Sequence, residues 1–294
     1  MHMVEFDVPE VDYTRYTNRQ LAAVPLAVLA VCLLVIAGWT VVTGSPVNPG
    51  VDFTGGTELR VAVDSPSDGQ ARQEIQSAFD AQPESIRSVP SDGTYIVTFQ
   101  SSAATTSDLE QQAEAAGFDI RSIDAVSAAF GSETQQQAFL GVLVAFLGMS
   151  VLVFLLFRTF VPSIAVVISA FSDIVIPIAL MNVLGIELSL GTVAALLMII
   201  GYSVDSDILL NNHVLRRSGD FYESTYRAMR TGVTMTLTSI AAMIVMTVVA
   251  TLFGISLLAA IGIVLVFGLT ADLMNTYLLN VSLLRWYKFK GVAR

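Results

Sequence analysis

Residues 190–210 read LGTVAALLMIIGYSVDSDILL, an apolar run that carries two aspartates, Asp205 and Asp207. A helix that crosses a bilayer needs about 20 predominantly apolar residues, and this run has that length. An acidic side chain inside such a run is costly in lipid. Because of its length and apolar character, we expect residues 190–210 to form a membrane-spanning helix despite its two aspartates.

The rest of the chain repeats this apolar pattern five times. Of the 294 residues, 54% are hydrophobic and only 14% are charged, whereas a typical soluble domain carries about 25% charged residues. The composition predicts an α-helical membrane protein and excludes a soluble enzyme with a large polar surface. The one cysteine, Cys32, has no partner for a disulfide within the chain. The six predicted membrane-spanning helices occupy residues 21–42, 138–157, 164–184, 190–210, 233–253 and 257–279.

Lysine and arginine residues set the predicted orientation, because short cytoplasmic loops carry an excess of them. With the N-terminus inside, the cytoplasmic segments hold 11 of the 15 basic residues, and the two short outer loops hold none. We therefore predict a multi-pass protein of the cytoplasmic membrane. Residues 1–20 and 285–294 are predicted to be cytoplasmic, helices 2–6 to lie within 138–284, and residues 43–137 to be extracytoplasmic.

The negative charge of the chain lies in segment 43–137. That segment has 14 acidic and 4 basic residues, whereas the rest of the chain has 11 of each. A net charge of −10 argues against nucleic acid as the main partner. Two explanations of the acidity stay open, a high-salt habitat in which salt screens the repulsion and an ordinary acidic domain.

Segment 43–137 also has the pattern of a small α+β domain. Alternating apolar residues predict strands at 58–63, 86–89, 94–99 and 118–123. Helices are predicted at 68–79 and at 107–116, the second with a serine cap and a stop at Gly117. Residues 91–93 predict a turn between the middle strands. The resulting order, βαββαβ, is that of a ferredoxin-like domain.

Four aspartates lie inside the predicted spans, which contain no lysine or arginine to neutralise them. Each would cost about 2.5–3.5 kcal/mol at a lipid-facing helix centre, so such residues usually face a bundle interior or a water-filled path. Together they predict a relay for protons or cations. For the pair near the cytoplasmic end of its span, contact with interfacial water is the alternative. The four are Asp173, Asp205, Asp207 and Asp272.

The spacing of polar residues divides these aspartates between helix faces. Residues two apart on an α-helix point about 200° apart, so Asp205 and Asp207 cannot share a face. Which of the two faces the bundle interior stays open. Three stripes of small or polar residues result, formed by Ser203, Asp207 and Asn211, by Gly201, Asp205 and Asn212, and by Gly268, Asp272 and Asn275.

Motifs of catalysis are absent from the sequence. The chain has two histidines, no HExxH zinc motif, no GxSxG nucleophile elbow and no GxxxxGK[ST] phosphate loop. The pair Gly55-Gly56 lacks the lysine and the helix of a nucleotide loop, and we interpret it as a turn that starts the first strand. We predict no catalytic residue, no cofactor and no metal site.

Several segments carry a family resemblance. GVDFTGGT at residues 50–57 follows the first predicted span, VLGIEL at 183–188 precedes TVAALLMIIGYS at 192–203, and MTLTS lies at 235–239. These segments and Asp173 in the third span resemble SecF proteins of the SecD/SecF family, and the resemblance covers nearly the whole chain. It marks as the family motif after helix 1 the residues Asp52, Phe53, Gly55 and Gly56.

The resemblance implies both a fold and a function. The implied fold is a six-helix bundle like half of an RND-type transporter, with the small domain between helices 1 and 2. The implied function is that of an auxiliary subunit of the Sec translocase. Such a subunit acts with SecD and a SecYEG-type channel on a translocating polypeptide and uses the proton-motive force. Together with the acidic, lysine-poor composition, the resemblance implies that the chain is a family member from a halophilic archaeon.

One segment departs from the bacterial pattern of this family. Bacterial members carry Asn-Asp-Thr after Gly-Tyr-Ser-x and an Asp-Arg pair later, whereas this chain has Asp205-Ser206-Asp207 and Asn212-His213. Ser206 therefore occupies the family's acid position, with an acid on either side. Three alternatives stay open: a relay shifted to Asp205 or Asp207, the use of sodium instead of protons, and a different coupling altogether.

Two other functions remain as alternatives. An RND-like half-transporter for small molecules or lipids would carry a larger outer domain than segment 43–137 provides. An intramembrane aspartyl protease would pair Asp173 with Asp205 or Asp207, but its Gly-x-Gly-Asp signature is absent from the sequence.

Overall fold

The computed structural model describes residues 12–65, 67–89, 93–216 and 220–291. Its first elements are a single 3₁₀ turn at Tyr13–Arg15 and helix α1 at Asn18–Thr43. Thr17 and Gln20 form a capping box that satisfies the first backbone N–H groups of α1. A short helix, α2 (Val51–Thr54), stands directly before the first strand.

Residues 56–126 form a small unit that we call the sheet domain. Its elements are β1 (Gly56–Ala62), α3 (Asp68–Ala78), β2 (Ser85–Val89), β3 (Thr94–Gln100), α4 (Thr106–Ala115) and β4 (Asp119–Val126). The strands lie in the order β2-β3-β1-β4, and every neighbouring pair is antiparallel. The predicted βαββαβ domain is confirmed.

One apolar core holds α3 and α4 against the sheet. Alternate residues of β1 point to the helices, so Leu59 and Val61 are fully buried. The other strands and helices add side chains to the same core, which the pattern of apolar positions predicts. Its largest fully buried members are Leu59, Ile75, Val97, Phe99 and Leu109.

Some details of the sheet domain differ from the sequence prediction. Helix α4 begins one residue earlier, and its cap is Thr105 rather than a serine, because the Thr105 hydroxyl accepts from the backbone N–H of Asp108. Strand β4 continues to Val126, since it pairs with β1 as far as Gly56. Gly93 has a φ of +66°, and positions 91 and 92 of the predicted turn lie outside the described residues.

Five further long helices follow the sheet domain. With α1 they make six helices, among the residues described, that are long and apolar enough to cross a bilayer. Helices α5, α6 and α8 begin before the predicted apolar runs, and α7 ends after its run. Their bounds are α5 Ala128–Phe157, α6 Phe160–Leu184, α7 Leu190–Arg216, α8 Phe221–Leu252 and α9 Ser256–Met274.

The last helix continues beyond α9 with a change of helix type. A π-helix covers Asn275–Asn280, α10 covers Val281–Trp286, and a second π-helix covers Tyr287–Gly291. Arg285, the first residue of the predicted tail, therefore lies inside a helix. Its buried guanidinium donates to the backbone carbonyls of Tyr13 and Tyr16, which ties the start of the described chain to α10.

Residues 46–56, which we call the junction segment, connect the sheet domain to the bundle. The N–H of Gly50 donates to the carbonyl of Leu188 at 2.8 Å, and the N–H of Leu188 donates to the carbonyl of Asn48 at 2.7 Å. The Asp52 carboxylate accepts from the N–H of Leu190, the first residue of α7, at 2.9 Å. The junction segment therefore contacts the loop from which α7 begins.

Candidate functional site

Three of the four aspartates in the predicted spans are buried together inside the bundle. Asp173 on α6, Asp207 on α7 and Asp272 on α9 are each at most 1% exposed. Hydroxyl and amide side chains from α7 and the Asn275–Asn280 π-helix donate to them. We call this group the acid cluster, which consists of Asp173, Asp207, Asp272, Ser203, Ser206, Asn275, Thr276 and Asn280.

Asp173 has a donor on each of its carboxylate oxygens. The hydroxyl of Ser203 donates to Oδ2 at 2.6 Å, and the amide of Asn275 donates to Oδ1 at 2.6 Å. Both donors are neutral, so they orient the carboxylate without cancelling a charge. Asp173 thereby connects α6 to α7 and to the π-helix.

Asp207 and Asp272 share one hydroxyl group. The Oγ of Thr276 lies 2.8 Å from Oδ1 of Asp207 and 3.2 Å from Oδ1 of Asp272. Asp207 Oδ1 also accepts from the amide of Asn280 at 2.7 Å, and Asp272 Oδ2 accepts from the hydroxyl of Ser206 at 2.9 Å. Thr276 therefore bridges the carboxyl groups of α7 and α9.

The π-helix explains why two asparagines five residues apart serve one cluster. Hydrogen bonds from residue i to residue i+5 widen each turn of a π-helix, so residues five apart come round to nearby directions. Asn275 and Asn280 both donate to the cluster, on Asp173 and Asp207 respectively. Single π turns occur often at functional sites, and this one supplies three of the cluster's donors.

Among the residues that the structure describes, no basic side chain pairs with the acid cluster. The ion pairs among the described residues all lie elsewhere, in the sheet domain, at its contact with the bundle or at the helix ends. Buried carboxylates need an opposite charge or a bound proton. Protons or small cations are therefore the charges with which this cluster can exchange.

Asp205 lies apart from the acid cluster. Its side chain is exposed and lines a cavity of about 370 Å³ between α7, α8 and α9, with Asn212 and Ser206 among its neighbours. The sequence left open which of Asp205 and Asp207 faces the bundle interior, and the rotation of α7 buries Asp207 and turns Asp205 away. In this arrangement Asp205 cannot pair with Asp173. One version of the protease alternative requires that pair.

The remaining predicted residues of α7 and the family motif have structural contacts. Asn211 is fully buried, and its amide donates to the backbone carbonyl of Asp207 at 2.8 Å rather than to a carboxylate. Asp52, described above, caps α7, and Phe53 is buried beside it. Gly55 and Gly56 have φ values of +71° and +151° and lead into β1, as the predicted turn requires.

Three donors of the acid cluster were not predicted from the sequence, namely Ser206, Thr276 and Asn280. Thr276 lies in the last apolar run beside the predicted Asn275, and Asn280 directly follows that run. A search for α-helical spacing of three or four misses Asn280, because it follows Asn275 by five. The signal that was present is the excess of polar residues at the end of an otherwise apolar run.

A second cavity lies between the sheet domain and the bundle. It has a volume of about 630 Å³ and is lined by the junction segment, by β1 and β2, and by the ends of α6, α8 and α9. Burial raises the pKa of Glu58, which faces this cavity, while nearby Arg87 acts in the opposite direction. Arg87 also forms an ion pair with Glu187 at 3.7 Å.

Family models match most of this chain. The model described as protein export membrane protein SecD/SecF, C-terminal, matches residues 106–290, and the SecD/SecF GG motif matches residues 40–67. The first match contains every residue of the acid cluster. The second contains the junction segment with Gly55 and Gly56.

Curated relatives match over most or all of their length. The protein-export membrane protein SecF of Haloferax volcanii is 80% identical over 99% of this chain and 100% of that protein. SecF of Haloquadratum walsbyi is 72% identical with the same coverage, and SecF of Methanocaldococcus jannaschii is 39% identical over 90% of this chain and 94% of its own.

A solved structure shares the fold. SecDF, a translocon-associated membrane protein from Thermus thermophilus, matches 98% of this chain with a TM-score of 0.72 and 20% identity. The match spans 40% of that longer protein. At this identity the likeness shows the fold, and it places the sheet domain and the six long helices within one known architecture.

Proposed function

The chain belongs to the SecD/SecF family of protein-export membrane proteins, and from this premise we propose that it is an auxiliary subunit of the Sec translocase. It acts with SecD beside a SecYEG-type channel and assists the movement of polypeptides across the cytoplasmic membrane. A transmembrane gradient of protons or sodium drives this action. The observation that carries the proposal is the acid cluster, three buried carboxyl groups without a basic partner among the described residues.

The proposed orientation follows from the basic residues. Both termini lie in the cytoplasm, and segment 43–137, which contains the sheet domain, lies outside. The short cytoplasmic segments hold 11 basic residues in this orientation. The sheet domain is then placed where it meets a polypeptide that emerges from the channel.

Contacts along α7 support a route from the acid cluster to the sheet domain. Ser203 and Asp207 of the cluster lie on α7, and the first residue of α7, Leu190, donates to Asp52 of the junction segment. A change in the charge of the cluster that shifts α7 would therefore reach the sheet domain through Asp52. The ion pair between Arg87 and Glu187 adds a second contact near the same loop.

Single substitutions of the aspartates test the proposal. Full-length protein with Asp173→Asn, Asp207→Asn or Asp272→Asn is restored to cells that lack the chain, and export of a reporter is measured with and without an ionophore. We expect the gradient-dependent part of export to disappear, because an amide cannot exchange a proton or hold a cation as a carboxylate does. In the same membranes the wild-type chain should co-purify with SecD.

Asp205→Asn is the matched control, since it makes the same chemical change two residues from Asp207 but outside the cluster. It should leave the ionophore response intact. Normal gradient-dependent export by all three folded cluster variants would contradict the proposed coupling.

A further inference from the structure

The Asn275–Asn280 π-helix leaves one backbone carbonyl, that of Tyr277, without its usual donor. An α-helix would join this carbonyl to the N–H of Val281, four residues later. That N–H donates instead to the carbonyls of Thr276 and Leu278. Because Tyr277 is buried and an unpaired buried carbonyl is costly, a π turn at this position needs a donor from elsewhere in the molecule.

Tyr13 provides this donor from the start of the described chain. Its hydroxyl donates to the carbonyl of Tyr277 at 3.1 Å and lies 3.5 Å from the sulfur of Met229, a weaker acceptor. Tyr13 is 4% exposed, whereas the other residues from 12 to 17 are exposed. From this stretch, only the Tyr13 side chain therefore enters the bundle, and its hydroxyl ends at the π-helix.

Arg285 fixes the backbone on which the Tyr13 side chain stands. Its buried guanidinium donates to the carbonyl of Tyr13 at 2.7 Å, to that of Tyr16 at 2.8 Å and to the amide oxygen of Asn18. Arg285 lies in α10, which continues directly from the π-helix. The same continuous helix therefore holds Tyr13 at two points, the backbone through Arg285 and the hydroxyl through Tyr277.

We propose that Tyr13 is a positioning residue for the ion coupling, because it holds the π turn from which three donors reach the acid cluster. Residues five apart point about 140° apart on an α-helix. If the turn reverted to α-helical hydrogen bonds, Asn275 and Asn280 could therefore not both face the acid cluster, to which they now donate. This role rests on the proposed function and extends it to a residue outside the cluster.

Removal of the Tyr13 hydroxyl tests this role. In the full chain, Tyr13→Phe keeps the ring and its packing but donates nothing to Tyr277. In cells that lack the wild-type chain, we expect the gradient-dependent part of reporter export to fall about tenfold, because a buried hydrogen bond is lost and its carbonyl stays unpaired. Tyr16→Phe is the matched control, since Tyr16 is half exposed and its contact with Arg285 uses only the backbone. It should export as the wild type does.

Infrared spectra of the full chain in liposomes show whether the acid cluster itself changes. The sample is acidified until the C=O band of protonated carboxyl groups appears, and the part of this band that Asp207→Asn removes belongs to Asp207. We expect Tyr13→Phe to move the Asp207 band to higher wavenumber, because a carboxyl group that loses a donor has a stronger C=O bond. Tyr16→Phe should leave the band in place.

An unshifted Asp207 band in folded Tyr13→Phe would overturn the proposal, even if export fell, because Tyr13 would then act without the cluster. Wild-type export together with a shifted band would also overturn it, since the coupling would not depend on the donors. If export by the wild-type chain ignored ionophores, the proposed function would fail. A shifted band would then still show that Tyr13 positions the cluster, and an unshifted band would remove that role too.

Discussion

At the scale of single residues, Thr276 lies between two of the carboxyl groups. A threonine hydroxyl has one proton, yet oxygens of both Asp207 and Asp272 lie within hydrogen-bonding distance of it. When Thr276 donates to one carboxylate, a bond to the other requires that the other carboxyl group carries a proton and donates it. The two bonds can reverse together, so the hydroxyl is suited to pass a proton between α7 and α9.

Removal of this hydroxyl should separate the two acids. Thr276→Val keeps the branched shape and eliminates the bridge, and a hydrogen bond to a charged group is worth about 1.5–3 kcal/mol. We expect gradient-dependent export to fall strongly while the protein still inserts and folds. Reporter export with and without ionophore measures the first effect, and resistance to detergent-induced thermal unfolding measures the second.

The control is the same substitution at Thr270, which lies on α9 before the π-helix. Thr270 is exposed on α9, and its hydroxyl donates only to the carbonyl of Val266 in its own helix. Thr270→Val should therefore keep wild-type export. Equal export by the two variants would show that the Thr276 bridge has no part in coupling.

At the scale of elements, the sequence predicts the six long helices and the strands and helices of the sheet domain, but not the short helices α2 and α10 or the two π-helices. The apolar runs and the alternating strands are local patterns. The length of an apolar run predicts a membrane-spanning helix, and alternation with a period of two predicts a strand. The rotation of a helix about its axis depends on its neighbours. The sequence alone therefore does not determine whether Asp205 or Asp207 faces the bundle interior, and the packing of α7 does. The π turn at Asn275–Asn280 likewise has no period that the sequence displays.

The glycine pair of the junction segment gives a prediction at this scale. A Cβ added to Gly55 would lie 2.6 Å from the backbone nitrogen of Ala128 at the start of α5, and the φ of +71° adds backbone strain. We expect Gly55→Ala to destabilise the protein by about 1–2 kcal/mol through strain and by about 1–3 kcal/mol more through overpacking. Thermal unfolding of the full chain in detergent measures the loss.

Gly93 separates these two contributions. Its φ of +66° is nearly the same, but a Cβ added there meets nothing within 4 Å among the described residues. Gly93→Ala should therefore cost only the strain. A loss as large as that of Gly55→Ala would mean that the contact with Ala128 contributes nothing.

Strand β1 carries a second element-scale prediction, which concerns pH. Burial raises the pKa of Glu58, Arg87 acts against it, and the acids Glu187, Asp124 and Asp52 act with it. The folded state therefore binds the Glu58 proton more tightly than the unfolded state does, and the stability this provides at acidic pH is lost as pH rises through the raised pKa. Glu58→Gln should raise the unfolding temperature at pH 7 and have less effect at pH 4.

Glu84, an exposed glutamate of the same domain, is the reference for this change. Glu84→Gln should leave the unfolding temperature nearly the same at both pH values. If Glu58→Gln behaved in the same way, burial of Glu58 would not affect the stability of the sheet domain.

At the scale of the whole molecule, the net charge and the acid cluster lie in different parts of the chain. All of the net charge of −10 belongs to segment 43–137, whereas the acid cluster lies in the charge-balanced remainder. Composition alone was compatible with two explanations of the acidity, and close relatives from Haloferax volcanii and Haloquadratum walsbyi agree with the high-salt one. Counting residues located the charge, but only packing located the cluster, because burial is a property of the folded bundle.

The proposed orientation makes the last prediction, and single cysteines test it. The native Cys32 is buried in α1, so an introduced cysteine dominates labelling by a membrane-impermeant maleimide. Ser107→Cys, exposed on α4, should react in intact cells. Lys290→Cys, exposed near the end of the described chain, should react only after the membrane is permeabilised. Labelling of Lys290→Cys in intact cells would reverse the orientation, place the basic segments outside, and remove the sheet domain from the side on which the exported polypeptide emerges.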